Sequence, residues 1–111
     1  MFTDAPTDNH GKGETFSPTD LVATALVSCM ITVIGIKADK HNWDIGEVKG
    51  TVKKVMLDSP RRIGQLIVAL SFKNHRLSQA ERSLVQTTAL TCPVAHSLHP
   101  DISQQVQFSF D

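Results

Sequence analysis

Two cysteines could do chemistry in this chain, and they stand in unlike settings. Cys29 lies deep in an apolar helical run, Phe16-Ser-Pro-Thr-Asp-Leu-Val-Ala-Thr-Ala-Leu-Val-Ser-Cys-Met30, whereas Cys92 directly precedes a proline in Thr91-Cys-Pro-Val-Ala-His96. Folding can bring together two thiols carried on separate helices of one small domain, and paired thiols do redox chemistry. The thiolate is the nucleophile in that chemistry, so position decides which sulfur is activated. Cys92 is expected at a helix N-terminus, where the dipole and free amides favour negative charge. Cys29 falls about three turns inside its helix, where it is expected to be well buried and burial raises a thiol's pKa. On local physics alone Cys92 is the more acidic, and Cys29 becomes the nucleophile only if the fold delivers a cation to it. Taken singly, each cysteine also reads as an inert, small buried hydrophobe.

Cys92, His96 and His99 form a second group whose spacing could offer metal ligands. A fourth ligand is not evident, because His10, His41 and His75 are scattered along the chain. Histidines solvated near a helix end are the preferred reading, and neither a metal nor a cofactor is expected. The turn carrying Arg61 and Arg62 could take an anion, although charged turn residues are usually just solvated. Lys53 and Lys54 read as a wet strand face, and Trp43 as packing.

The elements that must position these groups follow from periodicity and punctuation. Residues 1–16 are polar and turn-rich, with Pro6, Gly11 and Gly13, and read as a loop. Ser17 is the expected N-cap of a helix, with Pro18 at its first position and Asp20 answering the free amides. That helix runs to about His41 with apolar groups nearly all round it, as in a helix enclosed by other elements. Its uncharged run from Leu21 to Ile36 is shorter than the ~20 residues of a membrane span and reads as core. From Glu47 to Leu57 the period changes to two, with a phase slip at Lys54 that suggests a bulge and returns Val55 and Leu57 to the apolar face. After a turn at Asp58–Arg62, Leu66, Val68, Leu70 and Phe72 share one face of an antiparallel return strand. Ser78 and Glu81 are a capping box opening a second helix that leads to Cys92, itself the N-cap of a short helix from Pro93 to His99. A last strand, Gln105 to Phe110, turns Val106, Phe108 and Phe110 inward. The result is one α+β domain over residues 1–111, with two long helices against an antiparallel sheet. Three strands are thin cover for such apolar helices, so further cover is expected from a partner subunit or from N-terminal sequence.

Composition narrows the function. The 111 residues hold 11 Lys+Arg and 11 Asp+Glu, a formal charge of zero, and no stretch is basic enough to track a phosphate backbone. Nucleic acid and membranes are not expected partners. The start, Met1 to Asp8, shows no secretory pattern, and the reading is cytoplasmic, where a disulfide would be transient and catalytic.

Ser17-Pro-Thr-Asp-Leu21 leading to Ser28-Cys29, and Cys92-Pro-Val-Ala-His96 after the second long helix, resemble the OsmC/Ohr family of osmotically inducible and organic hydroperoxide resistance proteins. The resemblance covers nearly the whole chain and is closer to the OsmC-like branch than to the best-studied peroxidases. It implies a stress-response, thiol-dependent peroxidase of organic hydroperoxides that works without a cofactor. Cys29 would match the peroxidatic position and pass through a sulfenic acid. Cys92 would match the resolving position, closing a disulfide that an external dithiol reduces. The family is typically an intertwined homodimer with its sites at the subunit interface. Its activating arginine comes from an N-terminal β segment, and the expectation from the resemblance is that this sequence lacks a counterpart of those N-terminal strands. Thr19 stands where the peroxidases carry a glutamate, leaving Asp20 and Glu14 as candidate supporting residues. The alternative is a non-catalytic OsmC-like binding or interaction domain that lacks the activating arginine.

Overall fold

The computed structural model describes residues 16–111. The first helix, α1, spans Pro18–His41 and starts where its caps dictate. The Ser17 hydroxyl accepts the Asp20 amide at 3.2 Å, and the Asp20 carboxylate accepts the Ser17 amide at 3.1 Å. These reciprocal bonds satisfy two donors that a helix end leaves open. Two strands follow, β1 (Glu47–Leu57) and β2 (Arg62–Lys73), then α2 (Gln79–Leu90), the short α3 (Pro93–Ser97) and β3 (Ser103–Phe110). Ser78 and Glu81 cap α2 with the same reciprocal bonds.

The sheet has the order β1-β2-β3 and is mixed, not antiparallel throughout. β1 and β2 form the expected antiparallel hairpin, but β3 runs parallel to β2, from Gln65 opposite Ser103 to Phe72 opposite Phe110. The reason lies in the connection. α2 and α3 carry the chain back to the end of the sheet where β2 begins, and a crossover of that kind joins parallel strands. The bulge also falls elsewhere than expected. Val55 pairs with Gln65 and Met56 with Ile63, so the extra residue is Gly64 of β2. A Cβ on Gly64 would lie 2.4 Å from the Leu57 side chain, so a larger residue there would require Leu57 to move. Alternation along β1 is consequently unbroken, with Lys54 and Met56 inward and Val55 and Leu57 exposed.

One stripe of α1, including Leu26, Met30 and Ile34, is fully buried with Leu66, Val68, Leu70 and Phe72 of β2 and Val85 and Ala89 of α2. The opposite side of α1 is open in the described chain, with Ala25, Ser28, Thr32 and Ile36 exposed, so the helix is not enclosed as its sequence implies. Its 24 residues also make it long and apolar enough to cross a membrane by length and composition, although its buried stripe forms the centre of this core.

Close approach of α1 to β1 is set by Gly50. A Cβ there would stand 2.7 Å from Val27 Cγ2 and 2.8 Å from Ile31 Cδ1. Gly50→Val should therefore force the helix off the sheet and cost about 1–3 kcal/mol, as overpacked cores do. Urea unfolding monitored by circular dichroism checks this, and unchanged stability would contradict the packing described.

Candidate functional site: a thiol pair between α1 and α3

The fold brings the two cysteines together. Cys29 lies on the flank of α1, packed against the core that contains Cys92, and its side chain interacts with that of Cys92 at the start of α3. Cys29 is half-buried, more open than its sequence setting implies, whereas Cys92 is only 1% exposed. Both features follow from α1 being covered on one side only. The buried stripe passes through Leu26 and Met30, and Cys29 stands at its edge.

Cys92 is the N-cap residue of α3, as its proline predicts, and its sulfur accepts the Ala95 amide at 3.4 Å. The expected acidity does not follow. Burial is the largest influence and pushes the thiol above its ordinary value, the amides of Ala95 and Val94 pull it down, and the neighbouring Cys29 thiol pushes it up again. The net direction is upward, because a short helix offers two amides against near-complete loss of water. The reading of Cys92 as the acidic member of the pair is corrected accordingly.

Thr19 and Asp20 gather around a residue that the sequence reading left on the surface. Lys54 Nζ contacts Asp20 Oδ1 at 2.8 Å and donates to Thr19 Oγ1 at 2.6 Å and Ser17 Oγ at 3.0 Å. Its side chain is 15% exposed, so the wet-face reading of Lys54 is wrong. Strict alternation from Val48, Gly50 and Val52 carried this signal, since it turns residue 54 inward. Asp20 is held below the usual carboxylate range, chiefly by the hydrogen bond from Lys54 and then by the Ser17 amide. This cluster is some distance from the thiols: Thr19 and Cys29 are separated along α1 by about 15 Å of helix rise. Glu14 lies outside the described residues. His96 and His99 are exposed, His99 is 3.8 Å from Asp101, and among the described residues no three metal-binding side chains converge.

Comparison with known proteins agrees with this architecture. The family model described as OsmC-like protein matches residues 11–107, and the chain belongs to that family. It is similar to a solved structure from Psychrobacter arcticus 273-4, named as an osmotic stress induced and detoxification response protein. The two are 53% identical with a TM-score of 0.88, over 96% of this chain and 77% of that one. The fold is shared with an organic hydroperoxide resistance protein OsmC from Legionella pneumophila, at 21% identity and TM-score 0.74, over 96% of this chain and 78% of that one. It is shared too with the organic hydroperoxide resistance protein OhrB of Bacillus subtilis, at 17% identity and TM-score 0.64, over 95% and 76%. No curated protein matches the chain.

Two outcomes follow from this geometry. In the reduced native protein, iodoacetamide at pH 8 should label Cys29 well before Cys92, read by peptide mass spectrometry; equal labelling would contradict the burial difference. Lys54→Ala should cost about 1–2 kcal/mol, between the values of exposed and buried ion pairs, since Asp20 remains partly open to water. Asp20 has a lowered folded pKa, so its contribution is full above the unfolded value near 3.9 and disappears as pH falls through the folded one. The gap between wild type and Lys54→Ala in urea unfolding should therefore narrow below about pH 4 as the carboxylate protonates; a constant gap would contradict the pairing.

Proposed function

We propose that this chain is a thiol-dependent peroxidase that reduces organic hydroperoxides through Cys29 and Cys92. The observation that carries this reading is the contact between an accessible thiol and a buried one. In the first step the Cys29 thiolate attacks the distal peroxide oxygen, the O–O bond breaks, and the alkoxide leaves as an alcohol after taking a proton. The sulfur is oxidised to a sulfenic acid and the peroxide is reduced. In the second step Cys92 sulfur attacks the sulfenic sulfur, water leaves, and a Cys29–Cys92 disulfide remains. An external dithiol then reduces the disulfide by exchange.

Accessibility supports the division of labour. The attacking sulfur must meet a substrate and Cys29 is the more open, whereas a resolving thiol has only to meet its neighbour. A raised pKa is tolerable at Cys92, which acts on an already electrophilic sulfur, but not at an attacker. Lys54 is committed to Asp20, Thr19 and Ser17. Activation of Cys29 is therefore assigned to groups brought by a second copy of the chain over the open face of α1, which also makes the homodimer part of this proposal. A cytoplasmic dithiol pool is the reductant that fits the cycle.

Titration with one equivalent of cumene hydroperoxide tests the reading. Two thiols per chain should be lost with one cumyl alcohol formed, Cys92→Ser should stop at a sulfenic acid trapped by dimedone, and Cys29→Ser should keep its remaining thiol. Retention of both thiols over minutes in the wild type would exclude the peroxidase and favour the non-catalytic binding domain.

A further inference from the structure

The Arg61–Arg62 turn borders a second feature that the thiol chemistry does not use. A cleft of about 680 Å³ opens at the hairpin end of the sheet, between the β1–β2 turn, the start of α1 and the loop that joins α3 to β3, and neither cysteine lines it. Its volume falls in the range of small-molecule sites. Leu57, Pro60, Ile63 and Ile102 form its apolar lining, and Arg62, His99, Asp101, Thr19 and Ser59 its polar side.

Arg62 and His99 supply its nitrogen donors. Arg62 Nη1 donates to the Pro60 carbonyl at 3.1 Å, which holds the guanidinium over the turn. The other N–H groups of a guanidinium form a fork that matches a carboxylate. His99 Nδ1 accepts the Asp101 amide at 3.0 Å. The neutral ring therefore carries its proton on Nε2, which makes that atom a second donor. Asp101 is the one acidic residue of the lining and its side chain is 88% exposed. A carboxylate at the mouth disfavours a doubly charged head such as a phosphate monoester more than a singly charged one. The apolar lining is aliphatic throughout, so a flat aromatic or nucleobase ligand finds no ring to stack on.

We propose that this cleft binds a straight-chain aliphatic monocarboxylate, with its alkyl chain along Leu57, Ile63 and Ile102 and its carboxylate on Arg62 and His99. The site is separate from the thiol pair and does not depend on peroxidase activity.

Isothermal titration of the full chain at pH 7 with hexanoate, octanoate and decanoate tests it. Affinity should rise by up to about fourfold for each added methylene, as expected for burial of an alkyl group. Arg62→Gln should weaken every acid by roughly tenfold, as loss of a charge-assisted bidentate contact does, while keeping the dependence on chain length. The exposed Leu57→Ser change should flatten that dependence, and Cys29→Ser should bind as wild type does. Decanol should bind more weakly than decanoate and be indifferent to Arg62→Gln. Absence of saturable decanoate binding would overturn the proposal. So would chain-length dependence untouched by Leu57→Ser, which would place the apolar contact elsewhere, or octyl phosphate binding more tightly than octanoate.

Discussion

Seating of the α1 stripe Leu26, Met30 and Ile34 on the inner row of β2, Leu66 to Phe72, is the constraint on which the remaining features depend. All seven of these side chains, with Val68 and Leu70 counted between the ends of the β2 row, are essentially withdrawn from water, and each such burial contributes about 1.5–3 kcal/mol before entropy is counted. A one-sided burial also decides what stays open. Because only one stripe of the helix is covered, Cys29 at its margin keeps access to solvent while Cys92, reached through α2 and the proline-started α3, closes against it from the core side. Gly50 lets the helix approach closely enough for this arrangement to form.

From that seating comes the asymmetry between the thiols. Helix-end amides and burial act in opposite directions on Cys92, and burial wins because α3 is a single short turn whose amides cannot replace the lost water. The charge cluster at the other end of α1 follows the same logic in reverse. Lys54 is turned inward by strand alternation and would be costly there alone, but three oxygens supplied by the helix start satisfy it. The helix start thus has a structural role that its capping sequence does not announce.

Much of this was legible in the sequence wherever the signal is local. Ser17 with Pro18, and Ser78 with Glu81, state both helix starts, and Pro93 identifies Cys92 as a cap. The alternation of Leu66, Val68, Leu70 and Phe72 states which face of β2 is buried. Direction and exposure were not legible. Alternation assigns β3 a face but not a neighbour or an orientation, which come from the crossover through α2 and α3. Placing the bulge on β1 misdirected Lys54 to water: the extra residue is Gly64 on the opposite strand, so β1 keeps its alternation and the apolar Val55 and Leu57 are simply exposed. The nearly uniform apolarity of α1 reads as complete enclosure, yet the described chain covers one side of it. Contact between Cys29 and Cys92 is a tertiary fact that no spacing encodes: two thiols on separate helices state only that they can meet, and their attacking and resolving roles came from the family resemblance.

The account stands most directly on where oxidation leaves the two sulfurs. Non-reducing peptide mass spectrometry after a brief exposure to an organic hydroperoxide should find the Cys29 peptide joined to the Cys92 peptide of the same chain, with the loss of two hydrogens. Oxidation that instead accumulates as sulfinic or sulfonic acid on Cys29, with Cys92 still a free thiol, would contradict it.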